Sequence, residues 1–371
     1  MANLSAKDTN PDYWEQYSNL QQVKHDLIQH YLSGWLPKLG SWSGRVQYVE
    51  THAGRGRHES GDYGSPLVAL RTLLRHSSRE SVFGSCEVAF RFIEEDKENC
   101  ESLEKEIASL GPLPKQVKVE VICAECFGTL RGLLQHLEES QSRLAPAFIF
   151  VDPYGFKIPA RTLRELMAFP RVELFVNLIW RELSMSIAQG DSVKGMAATL
   201  DQVFDGTDWR MLVDLQFERQ AEACVGLLRQ KIGAKWVTHI RMLGNNNATR
   251  YMLMHLTNHD AGRDLMKDCM WKVSPDAAFR ARAGDDFRQE FLIKPEPDLS
   301  PLKEWVRRKL SEKPCRWKSL IEDLRAEVWR APQLNHVISD LRKDGKLDGR
   351  DYSGKFSPGN NPELHLAEQK R

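Results

Sequence analysis

The chain has 371 residues, 41% of them hydrophobic, and carries 52 Lys+Arg against 51 Asp+Glu for a net charge of +1. So even a balance excludes a whole-chain electrostatic grip on nucleic acid or membrane, while the apolar share suffices for two or three packed domains. The seven cysteines lie at scattered spacing, which excludes a secreted disulfide framework, and no apolar run reaches the ~18 residues of a membrane span; a cytoplasmic protein with no membrane contact is expected.

Residues 1–20 are polar. Over 21–39, Val23, Leu27, Tyr31, Leu32 and Trp35 recur at helical spacing, which predicts an amphipathic helix ending near Gly34 or Pro37. Strands and helices then alternate. Strands are predicted at 45–50, 88–94, 117–123, 147–152 and 173–179; helices are predicted at 65–74, with Pro66 in the first turn, and at 97–110, 127–138 and 160–168. This alternation implies an α/β fold with a parallel sheet covered by helices on both faces, and ligands in such sheets bind at the carboxyl ends of the strands.

The pattern changes after Trp180. Residues 182–230 read as a helical insertion. Two strand-like runs follow at 236–243 and 250–257, joined by Gly244-Asn245-Asn246-Asn247, residues that tolerate left-handed backbone, and 261–271 reads as helix. Lys294-Pro295-Glu296-Pro297-Asp298 is a proline-punctuated linker, set at 294–300. Beyond it the balance turns basic, with 16 Lys+Arg against 11 Asp+Glu from Pro301 to Arg371. Helices at 302–310, 317–327 and 332–344 precede Gly345-Lys346-Leu347-Asp348-Gly349-Arg350, which suits a tight wing. That is winged-helix order, with 332–342 as the recognition-like helix.

Chemistry gathers at three strand ends. In Gln47-Tyr48-Val49-Glu50-Thr51-His52-Ala53-Gly54-Arg55-Gly56-Arg57 a strand closes in an acid and enters a turn with two glycines, where a ligand can approach the backbone. The amides of Ala53, Gly54 and Gly56 are expected to meet the methionine part of S-adenosylmethionine (SAM), and Glu50 its positive end. In Arg91-Phe92-Ile93-Glu94-Glu95-Asp96 an acid, Glu94 by register, ends the second strand and can accept both ribose hydroxyls. Glu125, after the third strand, either reaches the adenine amino group or caps the next helix. Asp152-Pro153-Tyr154-Gly155 follows the fourth: an Asp carboxylate and a proline carbonyl can accept hydrogen bonds from an exocyclic amino group while an aromatic ring stacks on the base. Lys24 near such a site would hold a phosphate or the SAM carboxylate, and Arg55, Arg57 and His58 would meet a phosphate backbone at the crevice mouth. Cys123-Ala-Glu-Cys126 has no second pair or His pair beside it, so no metal site is expected.

The succession Lys24-His25, Tyr31-Leu32, Tyr48-Val49-Glu50, Ala53-Gly54, Gly56-Arg57, Gly64-Ser65-Pro66, Phe92-Ile93-Glu94 and Asp152-Pro153-Tyr154-Gly155-Phe156 resembles the three-Cys-motif partner protein family over roughly residues 20–290. The tail resembles the winged-helix domain often joined to that family. Lys24-His25 and Thr51-His52-Ala53-Gly54-Arg55-Gly56-Arg57 are also similar to the bacterial enzyme that methylates an adenine N6 of 23S rRNA. There the Lys-His lies beside the cofactor site, and the catalytic motif is a full Asp-Pro-Pro-Tyr. The resemblances imply a Rossmann-like, class I SAM-dependent methyltransferase domain over 41–293 with a closing β-hairpin, an N-terminal helical segment over 1–40 and a winged-helix-like domain over 301–371. They imply DNA or RNA as substrate, and a three-Cys-motif, phage-associated protein as partner. The rival expectation is a catalytically degenerate methyltransferase fold that only binds its partner, in a phage or defence setting.

Overall fold

The computed structural model describes residues 17–275, 277–284, 296–348 and 356–367. The chain divides into two compact units, one of residues 1–269 and 280–290, the other of 270–279 and 291–371. Among the described residues no helix is long and apolar enough to cross a membrane.

The large unit opens with helix α1 (Asn19–Gly40), started by a capping box in which Ser18 Oγ accepts from the Gln21 amide at 3.2 Å and Gln21 returns the bond to the Ser18 amide at 2.8 Å. The predicted stop at Pro37 does not occur. Proline removes the N–H that would bond the Ser33 carbonyl, and the His76 Nε2 lies 3.0 Å from that oxygen instead, so the helix continues for another turn.

Strands β1 (Arg45–Glu50), β2 (Glu87–Glu94), β3 (Val117–Cys123), β4 (Ala147–Val151) and β5 (Val172–Leu178) run parallel in the spatial order β3-β2-β1-β4-β5. Helices α2 (Ser65–Leu74), α3 (Arg79–Ser85), α4 (Lys97–Ala108), α5 (Cys126–Glu139) and α6 (Ala160–Met167) connect them; α3 has no counterpart in the sequence reading because its seven residues are too few to show a period. After β5 come α7 (Trp180–Gln189), α8 (Met196–Val203), a 3₁₀ turn (Asp208–Leu212) and α9 (Phe217–Ile232), which overrun the helical insertion expected at 182–230 by two residues at each end. The hairpin β6 (Trp236–Leu243) and β7 (Thr249–Thr257) turns through Asn247 at φ +57° and enters the sheet with β7 antiparallel to β5. Helix α10 (Asp260–Val273) follows, and a short strand β8 (Arg280–Arg282) pairs parallel with β6 at the edge.

The full order β3-β2-β1-β4-β5-β7-β6-β8 is a doubly wound sheet closed by a hairpin, with β7 alone running against the rest. Strands β1, β4 and β5 are buried almost throughout, as their apolar runs require. The strand order reverses between β1 and β4, and a crevice opens at the carboxyl ends of such a pair.

The small unit holds α11 (Ser300–Glu312), β9 (Cys315–Arg316), α12 (Trp317–Leu324), α13 (Ala331–Lys343), β10 (Leu347–Asp348) and β11 (Glu363–Leu366). The strands form an antiparallel sheet ordered β10-β11-β9. Leu302, Trp305, Val306, Leu320, Leu334, Ile338 and Leu364 make its core. Of the expected wing, Gly349 and Arg350 lie outside the described residues.

Candidate functional site

The switch point gathers what the sequence assigned to three separate strand ends. Glu50 closes β1 and is fully buried; its carboxyl accepts from the Tyr48 hydroxyl at 2.9 Å and from the Ser65 hydroxyl in a very short bond. Both partners are neutral. Burial therefore pushes the Glu50 carboxyl up to about 8, further raised by the Asp152 charge and only partly relieved by the two hydroxyls and Lys24. At neutral pH the group is protonated.

Among the three acids ending β2, only Glu94 turns inward. Glu95 is exposed and Asp96 caps α4 by accepting from the Asn99 amide at 2.9 Å. Glu94 Oε2 accepts from the Gly54 amide at 2.7 Å and Oε1 from the Asp96 amide at 2.9 Å. A carboxylate offers about four acceptor positions, so roughly two remain on Glu94.

The glycine loop is built differently from expectation. The Ala53 amide donates to the Ile93 carbonyl at 3.0 Å and the Gly54 amide to Glu94, so these two N–H groups stitch the loop to β2 and do not face a ligand. Gly54 and Gly56 do take the left-handed backbone, at φ +65° and +86°. A Cβ on Gly56 would stand 2.8 Å from Leu103 Cδ1, so that glycine lets the turn close onto α4.

Asp152 follows β4 at the other side of the switch. Its Oδ2 is 2.6 Å from Lys24 Nζ of α1, and its Oδ1 accepts from Asn177 Nδ2 of β5 at 2.5 Å. Lys24 is thus spent on Asp152, not on an anionic ligand; with the two side chains 4% and 12% exposed, each needs the other's charge. Asn177 was not recognised from sequence, although a polar residue following the apolar run Leu174-Phe175-Val176 was a readable signal. Because its Nδ2 must point at the carboxylate, its Oδ1 is fixed as the other arm, and that buried oxygen has no hydrogen-bond partner among the described residues. Beside this cluster Pro153 is buried, Tyr154 is 43% exposed, and Gly155, at φ +99°, faces Glu182 of α7.

The remaining candidates fall outside the cluster's chemistry. Glu125 caps α5, accepting from the Phe127 and Gly128 amides at 2.8 and 2.5 Å, which is the capping alternative. Arg57 binds Glu106 at 2.7 Å and stacks 4.5 Å over the Tyr63 ring, and Arg55 lies 3.6 Å from Glu59; local acids hold both arginines. His58 is buried, edge-on to the Tyr17 ring at 5.2 Å. Tyr17 also shares a 2.7 Å hydrogen bond with His25, whose pKa burial and the Lys24 and His58 charges push well down. His52 is lowered to about 4 by burial, and Cys126, 3.5 Å from its Nε2, is pushed up to about 12 by burial, so the one is neutral and the other a thiol. Cys123 is exposed and Cys126 buried, so the CxxC pair does not share one environment.

No family model and no curated protein matches this chain. Among solved structures it is similar to a Legionella pneumophila protein at 17% identity, over 63% of this chain and 85% of that one, with a TM-score of 0.34. It is similar to Trm1 from Pyrococcus horikoshii, described in complex with S-adenosyl-L-methionine, at 11% identity over 71% of this chain and 61% of that one, TM-score 0.37. A SAM-dependent methyltransferase from Agrobacterium tumefaciens is similar at 13% identity over 63% and 62% of the two chains, TM-score 0.33.

Proposed function

We propose that this chain is a SAM-dependent methyltransferase of the class I fold that acts on an exocyclic amino group of a nucleic-acid base, adenine N6 by analogy with the resemblance to the 23S rRNA enzyme. The observation that carries this reading is the buried cluster of Asp152 and Asn177, with an unpartnered acceptor at Asn177 Oδ1 beside the switch point. An amino group is a double donor, and a carboxylate next to a free amide oxygen is a donor's complement. The ring of Tyr154, next but one to Asp152, is 43% exposed, and an aromatic ring at this place is of the kind that stacks on a base.

The residues present fit SAM. Glu94, with acceptor positions to spare, would take the ribose hydroxyls. The left-handed turn at Gly54 would pass the methionine portion, whose ammonium would find the uncompensated Glu50 carboxyl. SAM when bound supplies an activated methyl group whose departure needs no acid from the protein. The work left to the chain is to align the acceptor nitrogen, which Lys24 serves by fixing the Asp152 carboxylate. The small unit, with its three helices and antiparallel sheet, we read as a winged helix that adds grip on the nucleic acid.

A second reading has its own observation: both Asp152 oxygens already have partners within the chain, and one proline of the Asp-Pro-Pro-Tyr pattern is missing. That favours a degenerate fold that binds a partner, the three-Cys-motif protein of the resemblance included, without turnover. Calorimetric titration with S-adenosylhomocysteine, followed by isotope transfer from labelled SAM to DNA and RNA, separates the two. Wild type is expected to bind and transfer. Glu94→Ala should weaken binding by tenfold or more, and Asp152→Asn should bind but lose roughly 10²-fold in transfer. Absence of S-adenosylhomocysteine binding sinks the methyltransferase reading; binding without transfer to any nucleic acid favours the partner reading.

A further inference from the structure

In winged-helix order the third helix is expected to meet the nucleic acid, but the charges of the small unit lie elsewhere. Positions Pro332, His336, Asp340 and Lys343 recur along one face of α13, and the cations among them are neutralised locally: Asp340 pairs with His336 at 3.3 Å and with Lys343 at 3.9 Å. The polar side chains that could read bases are engaged too. Asn335 accepts from the Trp317 indole at 2.8 Å and Gln333 from the Arg330 amide at 2.8 Å.

The segment from Arg307 to Lys318 is the opposite. It holds six Lys and Arg against the single acid Glu312. Lys309 is tied to Asp323 of α12 at 2.7 Å, a bond that joins the last turn of α11 to the last turn of α12. The other five, Arg307, Arg308, Lys313, Arg316 and Lys318, are exposed and have no ion-pair partner among the described residues. Across the sheet Glu363 is the register partner of Arg316, and it lies 3.3 Å from His365. From Arg307 to Lys313 the helix rises about 9 Å, and phosphates follow one another every ~3.4 Å along a nucleic-acid strand. That rise spans about two or three phosphates.

We propose that the small unit grips the phosphate backbone of nucleic acid through this edge, the end of α11 with β9 and the start of α12, and not through α13. Nucleic acid suits the edge better than an acidic protein. Among the described residues every exposed large hydrophobic side chain belongs to the large unit, so the described part of the small one offers cations without the apolar anchors that protein interfaces use. A grip of this kind fixes position, and the base is selected at the large unit. The proposal does not depend on methyl transfer.

The test is fluorescence anisotropy of the full-length protein with labelled DNA and RNA duplexes of ~25 base pairs, titrated between about 50 and 200 mM salt. The variant with Arg307, Arg308, Lys313, Arg316 and Lys318 all changed to Ala should bind at least tenfold more weakly at the lower salt. Each lost contact removes about 0.9 from the slope of log affinity against log salt, so the slope should flatten by three or more. His336→Ala/Lys343→Ala should stay within twofold of wild type. S-adenosylhomocysteine titration on the same preparations reports the large unit separately, and the milder Arg307→Gln/Arg308→Gln pair, with an expected flattening of one or more, serves if the fivefold variant misfolds. The proposal is overturned if wild type binds neither duplex, if the slope of the edge variants is unchanged, or if the α13 variant loses as much as the fivefold one.

Discussion

Two acids are buried in the same sheet, at opposite ends, and the protein treats them in opposite ways. Glu173, at the amino end of β5, accepts from the Tyr31 hydroxyl in a very short bond, from Trp35 Nε1 at 3.2 Å and from His255 Nε2 at 2.8 Å. Burial alone would raise it, but His255 and Tyr31 together outweigh burial and hold the carboxyl below its usual range. Glu50, at the carboxyl end of β1, has only two hydroxyls and an unfriendly Asp152 nearby, and its carboxyl rises to about 8. Glu173 has a basic group beside it and joins α1 to β5 and β7. Glu50 has neutral partners while the near cation, Lys24, is engaged with Asp152. A buried carboxyl compensated inside the fold is structure; one left uncompensated at a switch point is, on the function proposed above, the group that a cationic ligand would ionise.

The largest expected effect breaks the compensated acid. Glu173→Ala strands His255, Tyr31 and Trp35 without their common acceptor and should cost about 3–5 kcal/mol in urea unfolding of the large unit, with S-adenosylhomocysteine affinity unchanged in the folded fraction. The pH signature is fixed by sign. A lowered folded pKa means stability that is present above the unfolded carboxylate value and lost as pH falls through the folded one, so wild type should lose this contribution in acid, below about pH 4.5. A variant as stable as wild type at neutral pH would show that the cluster holds nothing together.

Much of this contrast could be read from the chain, and the unread part has a physical cause. Glu50 and Glu94 stand at strand ends, where apolar run, acid and glycine follow in one line of sequence, and the local signal is enough to place them. Glu173, Asn177 and His255 belong to strands whose partners are far away in sequence, and Lys24 meets Asp152 across 128 positions. Pairings of that kind arise from sheet order, which a single sequence does not display. The loop amides mislead for the same reason: Gly54 looks free for a ligand until β2 brings Glu94 against it. In the small unit the helices were legible from periodicity, while neutralisation of α13 by Asp340 depends on rotamers that periodicity does not carry.

Glu50→Gln sharpens the other half of the comparison. With the folded pKa raised to about 8, wild-type stability is complete below the unfolded value near 4.5 and declines as pH rises toward 8. Glutamine does not titrate and keeps a side-chain acceptor. The variant should therefore be more stable than wild type by an amount that grows from pH 5 and levels off near pH 8, at about 2–4 kcal/mol. The same variant should bind S-adenosylhomocysteine more weakly, since glutamine cannot ionise to meet the ligand's ammonium. Greater stability with unimpaired binding would remove Glu50 from the cofactor site.

The smallest effect separates the acids by their tyrosines. Tyr31→Phe takes a donor from an ionised carboxylate and should cost about 1.5–3 kcal/mol at every pH above 5. Tyr48→Phe takes one from a carboxyl that is neutral through most of that range, where the loss should be about 1 kcal/mol. Above pH 8 Glu50 ionises, the bond from Tyr48 becomes charge-assisted, and the cost of Tyr48→Phe should climb toward that of Tyr31→Phe. Urea unfolding of both variants at pH 6 and pH 9 reads the difference. Equal costs at pH 6 would mean that Glu50 is already ionised there, and that burial at the carboxyl end of β1 is compensated after all.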